Sequence, residues 1–418
     1  MPREGTMRLE RVLALLFAGA LAALLPGCSD STGPGETLPA TYTIDAGGSG
    51  DFSSIGEAVA AAADGDTLLV LPGTYTGANN RDIAFGGRGI ALVSRGGADS
   101  TTIDLEESGR AFILHGRGRS ESVISGFTIA RGSAVRGGAI SIIGTSPTLS
   151  DLTLLLNEAD DEGGAVFVSG GSPALTNVTF DSNSAFFSGG GMFCQTGAAP
   201  QLTDVTFYRN EAGSGGGLSA VLSDLTLDGV SFSYNEARSD GGGLYVGLSD
   251  ATLSNVEFYE NEAARYGGGM SCLSSSPVVD RVSFVRNGGT EGGGIHLDGG
   301  SSPVITNSII AFQFLGVAIA ADAEDQPSVT RVCVFENYGG DELGTTGTDL
   351  INVDPLLCGL YDGDLSLCSN SPCLPENNAW SEQLGAHAAG CDSCSSSTPA
   401  FALDWSAFAD PPRTLRRE

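Results

Sequence analysis

The 418-residue chain carries 61 Gly, 50 acidic side chains and 20 basic ones, all of them Arg, for a formal charge of −30. That charge excludes unaided binding to nucleic acid, whose phosphates need a basic stripe found nowhere in the sequence, and it disfavours polyanions such as pectate. The length allows one elongated domain, because a chain that grows by stacking is not limited by a single globular core.

At the N-terminus, Arg8 and Arg11 precede the apolar run Val12 to Leu25, which is short for a membrane span and of the right size for a signal peptide. The run ends in Leu25-Pro26-Gly27-Cys28, which resembles a bacterial lipobox with Cys28 as the lipidated residue. Ser29, by the same resemblance, implies sorting to the outer membrane. Residues 1–27 are thus expected to be a lipoprotein signal peptide and residues 28–40, rich in Ser, Gly and Pro, a flexible tether. The expected address is the outer membrane, facing the periplasm or the cell surface, with the lipid as the only membrane contact.

Structure is expected to begin at about residue 41. Ser54 and Glu57 have the spacing of a capping box, and Ile55, Val59 and Ala62 share one helical face, so a short helix closes the first coil. From Gly137-Gly138-Ala139-Ile140 to Gly292-Gly293-Gly294-Ile295, seven small-residue triplets each lead into an aliphatic residue. Five intervals between their third members are 26 residues and the last is 25. Each unit holds short runs of period-two alternation with Gly, Asn and Asp between them and no helical spacing, as in Leu244-Tyr245-Val246 and Leu253 to Phe258. A repeat of this size and composition is one turn of a parallel β-helix.

Columns across the units say where the side chains go. Leu154, Phe180, Phe207, Phe232, Phe258 and Phe284 share a position expected to fill the core, since equal positions in a parallel stack lie about 4.8 Å apart. Three residues later stand Asn157, Asn183, Asn210, Asn235, Asn261 and Asn287, read as an amide ladder, with left-handed turn chemistry as the alternative. Asp151, Asn177, Asp204, Gly229, Asn255 and Asn307 form a corner column, with Arg281 its exception. Cys194 and Cys272 are 78 residues apart, three coils, and are expected to be buried thiols beyond disulfide reach of each other.

Past the repeats, Cys333, Cys358, Cys368, Cys373, Cys391 and Cys394 cluster in an irregular third of the chain. In an exported protein they read as disulfides rather than zinc ligands, His387 being the one His close to them in sequence. The β-helix is expected to run from 41 to 390 and a tail from 391 to 418.

The segment Gly48 to Tyr75 looks like the opening of the pectin-lyase-like right-handed β-helix superfamily, and the repeats resemble those of polymorphic outer-membrane proteins. Val353-Asp354-Pro355-Leu356 and Gly363 to Leu367, with Ser371-Pro372-Cys373, look like the closing coils of bacterial right-handed β-helix repeat proteins. The resemblance implies an all-β right-handed solenoid and leaves the activity open, because the fold hosts lyases, hydrolases, esterases and binding proteins. The Gly-His-Gly and Arg-Ile-Lys of polygalacturonases, the Arg-x-Pro-x-x-Arg of pectate lyases and the esterase motifs do not occur here.

Chemistry is therefore sought in residues outside those motifs. Phe167, Phe193, Tyr245 and His296, with Ser141, Ser219 and Ser271 between them, occupy a column expected to point outward, read either as rings buried beneath a covering loop or as a ring-bearing face on which a glycan stacks. Asp160, Asp161 and Glu162 suit calcium, the one metal considered where no cofactor is otherwise expected, and His296 with Asp298 has the makings of an acid/base pair. Glu211, Glu236 and Glu262 repeat on neighbouring coils, where like charges repel unless splayed or bridged by a cation. These features favour a lipid-anchored envelope protein for binding or adhesion, with a glycan or other cell-surface partner and no nucleic acid. The alternative is a polysaccharide lyase or hydrolase with a divergent site.

Overall fold

A computed structural model describes residues 38–116 and 122–397. Within them the chain winds into an all-β parallel solenoid of about 13 turns with roughly 26 residues per coil. Residues 1–37, with Cys28 and the expected signal, lie outside the described residues, as does the chain after Ser397.

One coil shows how the sequence makes the turn. Ala251–Ser254 is a strand of a wide sheet; the chain then bends at Asn255 (φ +54°) and runs on as Glu257–Tyr259 in the same sheet. A second bend at Glu260 (φ +49°) leads into Glu262–Tyr266 of a narrow sheet, and Gly267 turns the chain into Met270–Leu273 of a third. Leu253, Val256, Phe258, Met270 and Cys272 all point inward and are fully buried. Each rung pairs with the next in parallel, five times at a 26-residue offset and then at 25, in Ile140↔Val166↔Met192↔Leu218↔Leu244↔Met270↔Ile295. The connections are right-handed, as parallel crossovers are.

The aromatic column is the spine of this core. Phe180, Phe207, Phe232, Phe258 and Phe284 are fully buried and stack face to face, neighbouring centroids lying 4.5, 4.8, 4.8 and 4.6 Å apart. Alongside, Asn210 Nδ2 donates to Asn235 Oδ1 at 2.9 Å and to the Phe180 carbonyl at 3.0 Å, and this pattern repeats up the stack. Each Asn oxygen also accepts the backbone N–H of the preceding rung's Asn, so a buried corner peptide that has no partner in the sheets is satisfied. The ladder continues past Asn287 through Gln313 and Asn337. The left-handed backbone belongs to the residue before each Asn, such as Arg209 (+54°) and Tyr234 (+57°), so the Asn are a ladder and not the turn itself. In the corner column every member is left-handed, and Arg281 conforms at +53°.

The two ends differ. At the first, the helix α1 (Ile55–Ala61) is capped by Ser54, whose hydroxyl accepts the Glu57 N–H, and it buries Ile55, Ala58 and Val59 against the first coil. Glu57 does not complete a reciprocal box; it accepts the Ser53 hydroxyl instead. At the other end the last rung is Thr348–Ile351. Residues 354–397, expected as closing coils and the start of a tail, do not wind. Leu357–Gly359 pairs antiparallel with Asp364–Cys368, which pairs with Ala389–Cys391, in a separate small sheet that we call the flap.

The flap lies on the side of the solenoid because the sequence there changes. The outward positions of the wide sheet, Thr153, Thr179, Thr206 and Ser231 in one column and Asp181, Tyr208 and Ser233 in another, become Ile309 and Cys333 in the first and Tyr259, Val285 and Ala311 in the second. These form one apolar cluster with Leu357, Leu360, Leu365, Leu367, Leu374 and Leu384 of the flap. Disulfides Cys358–Cys391 and Cys368–Cys394 hold it, so Cys391 and Cys394 belong to this layer. Cys333 and Cys373, expected to be bonded with the rest, are buried thiols, as are Cys194 and Cys272.

Candidate functional site

The outward column on the third sheet is not a platform. Phe167 and Phe193 stand in register on adjacent coils as expected, centroids 6.1 Å apart, but each is only 3% exposed. The cover is the glycine corner that enters each strand. Gly189 turns at φ +68° so close to the strand that a Cβ there would lie 2.9 Å from Phe193 Cβ, and Gly137 leaves only 3.0 Å above Phe167 Cβ. The Arg136 guanidinium closes over the Phe167 ring at 5.3 Å. Ser219 is fully buried between Phe193 and Tyr245, and Tyr245 is half-buried, so the four residues do not form one exposed surface.

His296 is also covered. Its ring stacks on Tyr266 at 4.3 Å, burial holds its pKa below the ordinary value despite the surrounding Asp298, Glu291 and Asp240, and Nδ1 has no partner. No hydrogen bond between described residues joins it to Asp298, so the expected acid/base pair is not assembled. Nor is the calcium site. Arg136 spans Asp161 and Glu162 at 2.7 and 3.3 Å, supplying the positive charge that a cation would bring, while Asp160 stays exposed. Burial is the main reason that Glu162 titrates above its ordinary value. The metal-ligand group that does assemble among the described residues is Cys358, Cys368 and Cys391, which belongs to the disulfides.

The exposed chemistry sits on the narrow sheet instead. Glu211, Glu236 and Glu262 are aligned in register and exposed on one face. Burial, and then Glu211 and Glu262 on either side, hold Glu236 above the ordinary carboxylate pKa. On the rung next to Glu211, Phe186 and Phe187 are 64% and 55% exposed, packed edge to face at 4.8 Å. Arg238 fixes this corner: Nη1 reaches Glu211 at 2.5 Å and Nη2 donates to the Phe186 carbonyl at 2.6 Å. The result is an accessible sheet with two exposed rings on one rung and three carboxylates on the rungs that follow, chemistry able to contact both apolar and hydroxyl-bearing surfaces.

A family model for the right handed beta helix region matches residues 190–353. The described residues have the fold of a right-handed β-helix. Among solved structures the β-helix is similar to a pectate lyase, Pel9A, at 13% identity over 85% of this chain and 97% of that one, with a TM-score of 0.45. It is also similar to a carrot pectin methylesterase (12% identity, 78% and 90% covered, TM-score 0.29) and to a mutant PL6 family alginate lyase, AlyGC (12%, 79% and 55%, TM-score 0.32). At those identities no activity transfers to this β-helix. No curated protein matches its sequence.

Sequence reasoning noticed the Glu column of the β-helix but missed Phe186 and Phe187. A signal was present. Ala159, Ala185 and Ala212 repeat two residues after the ladder Asn and pack together in a small buried cluster, so the next residue in each coil must face out. Phe186 holds that place where other coils carry Asp160, Gly213, Arg238 and Ala264.

Proposed function

We propose that this β-helix is an exported, lipid-anchored binding protein of the cell envelope that presents its narrow acidic sheet to a neutral or amine-bearing glycan. The carrying observation is the Phe186–Phe187 pair, exposed on a rigid rung next to aligned carboxylates. Sugar C–H faces stack on aromatic rings, and hydroxyl groups donate to carboxylates such as Glu211 and Glu262. The same carboxylates and the net charge of −30 repel uronate polymers, which narrows the ligand class. The test is titration of the purified protein against neutral, amino and uronic polysaccharides, beside a variant carrying Phe186→Ala and Phe187→Ala. Affinity for the bound glycan is expected to fall about ten-fold, or about 1.4 kcal/mol, with the melting temperature nearly unmoved. Equal binding by the variant, or no binding by the parent, rules the reading out.

A hydrolytic reading has one observation in its favour, the raised pKa of Glu236 between two further carboxylates. Neighbouring rungs about 4.8 Å apart approach the spacing of about 5–5.5 Å that retaining glycosidases use. Release of reducing ends that disappears in Glu236→Gln would establish it in place of simple binding.

A further inference from the structure

We propose that Cys333 and Cys373 form a third disulfide, a covalent latch between the flap and the solenoid. It is independent of what the acidic sheet binds. Cys333 lies on the rung Ser328–Phe335, in register with Ile309, and faces the flap; Cys373 lies on the flap itself. Both are fully buried thiols in the same apolar cluster. The Cys373 thiol is close enough to raise the Cys333 pKa, and the Cys333 thiol donates to the Val353 carbonyl at 3.4 Å. The backbone of Cys373 is held in place, since its N–H donates to Ser371 Oγ at 3.1 Å and its carbonyl accepts from Leu384 N at 3.0 Å. The flap's four other cysteines are already paired, and Cys194 and Cys272 point into the core from the third sheet, so each of these two thiols has the other as its partner.

The step is thiol–disulfide exchange with an external disulfide, either a small molecule or an oxidoreductase. The Cys373 thiolate attacks one sulfur of the oxidant, whose S–S bond breaks, and half of it leaves as a thiol. The Cys333 thiolate then attacks the Cys373 sulfur of the mixed disulfide and displaces the second half. Two protons and two electrons pass to the oxidant, which ends as two thiols. The neighbouring Cys373 thiol, and then burial, raise the Cys333 pKa well above its ordinary value, so closure belongs to the moment of docking, before the cluster seals. Once closed, the latch makes exposure of the apolar face at Tyr259, Val285 and Ile309 depend on redox state.

The protein is refolded in a glutathione redox buffer, and its free thiols from Cys194 onward are counted in denaturant. Two are expected, Cys194 and Cys272, together with a Cys333–Cys373 linked peptide in mass spectrometry that separates on reduction. Four thiols, or Cys333 or Cys373 bonded elsewhere, overturns the proposal. A second measurement compares oxidised parent with oxidised Cys373→Ala, in which the other two disulfides persist. Protease cleavage within 354–397 is expected at least ten-fold faster in the variant, and equal rates would show that no latch holds the flap.

Discussion

Phe232 touches Phe207 and Phe258 at 4.8 Å on either side and is fully sealed from water. Truncating it opens a void in a column that cannot collapse along its axis, because the rung spacing is set by backbone hydrogen bonds. Phe232→Ala is expected to cost about 3–5 kcal/mol in a reversible melt, and a loss below about 1 kcal/mol would mean that the ring is not core. A second residue-scale expectation concerns His387 of the flap, 2.6 Å from Glu257 on the solenoid. The Glu257 hydrogen bond, against the opposing effect of burial, raises the His387 pKa above its ordinary value. A raised folded-state pKa means that the contact stabilises fully below the unfolded value of about 6.5. The benefit is lost as pH rises through the folded value. Protease protection of the flap should therefore be greater at about pH 5.5 than at about pH 8.5, and Glu257→Gln should flatten that difference.

At the scale of the element, alternation along a strand correctly placed Phe167 and Phe193 on the outer side of the third sheet, yet outer did not mean exposed. A glycine corner folds back over each strand, and its path depends on left-handed backbone at Gly137, Gly163 and Gly189, which period-two patterning does not encode. These rings are ordinary packing. Phe193→Ala is accordingly expected to lower stability by about 3 kcal/mol and to leave glycan affinity unchanged. A pure affinity loss without a stability loss would restore the column as a binding face. The ladders were legible unequally. The Asn column was visible because one residue type recurs, whereas a second ladder, in which Ser223, Ser249 and Ser275 N–H groups donate to the next rung's Ser hydroxyl, was hidden in Ser-rich corners.

For the whole molecule, the address rests on the N-terminal segment. If lipid on Cys28 is the anchor, Cys28→Ala should move the protein from the membrane to the soluble fraction, because no helix among the described residues is long and apolar enough to cross a membrane. Persistence in the membrane fraction would point to another attachment. Period, inward columns, corner positions and the capping helix can all be read from the chain, because stacking places each residue above its equivalent 25–27 positions away. A one-dimensional repeat therefore carries its own contacts. The flap could not be read that way. Its docking joins Tyr259 to Leu360, about a hundred residues apart and outside any repeat, through the Tyr259 hydroxyl and the Leu360 carbonyl at 2.9 Å. The candidate site divides along the same line. The carboxylate column recurs and was legible, while the exposure of Phe186 and Phe187 and the burial of Phe167 and Phe193 depend on how corners pass over neighbouring strands, a property of the wound chain in three dimensions.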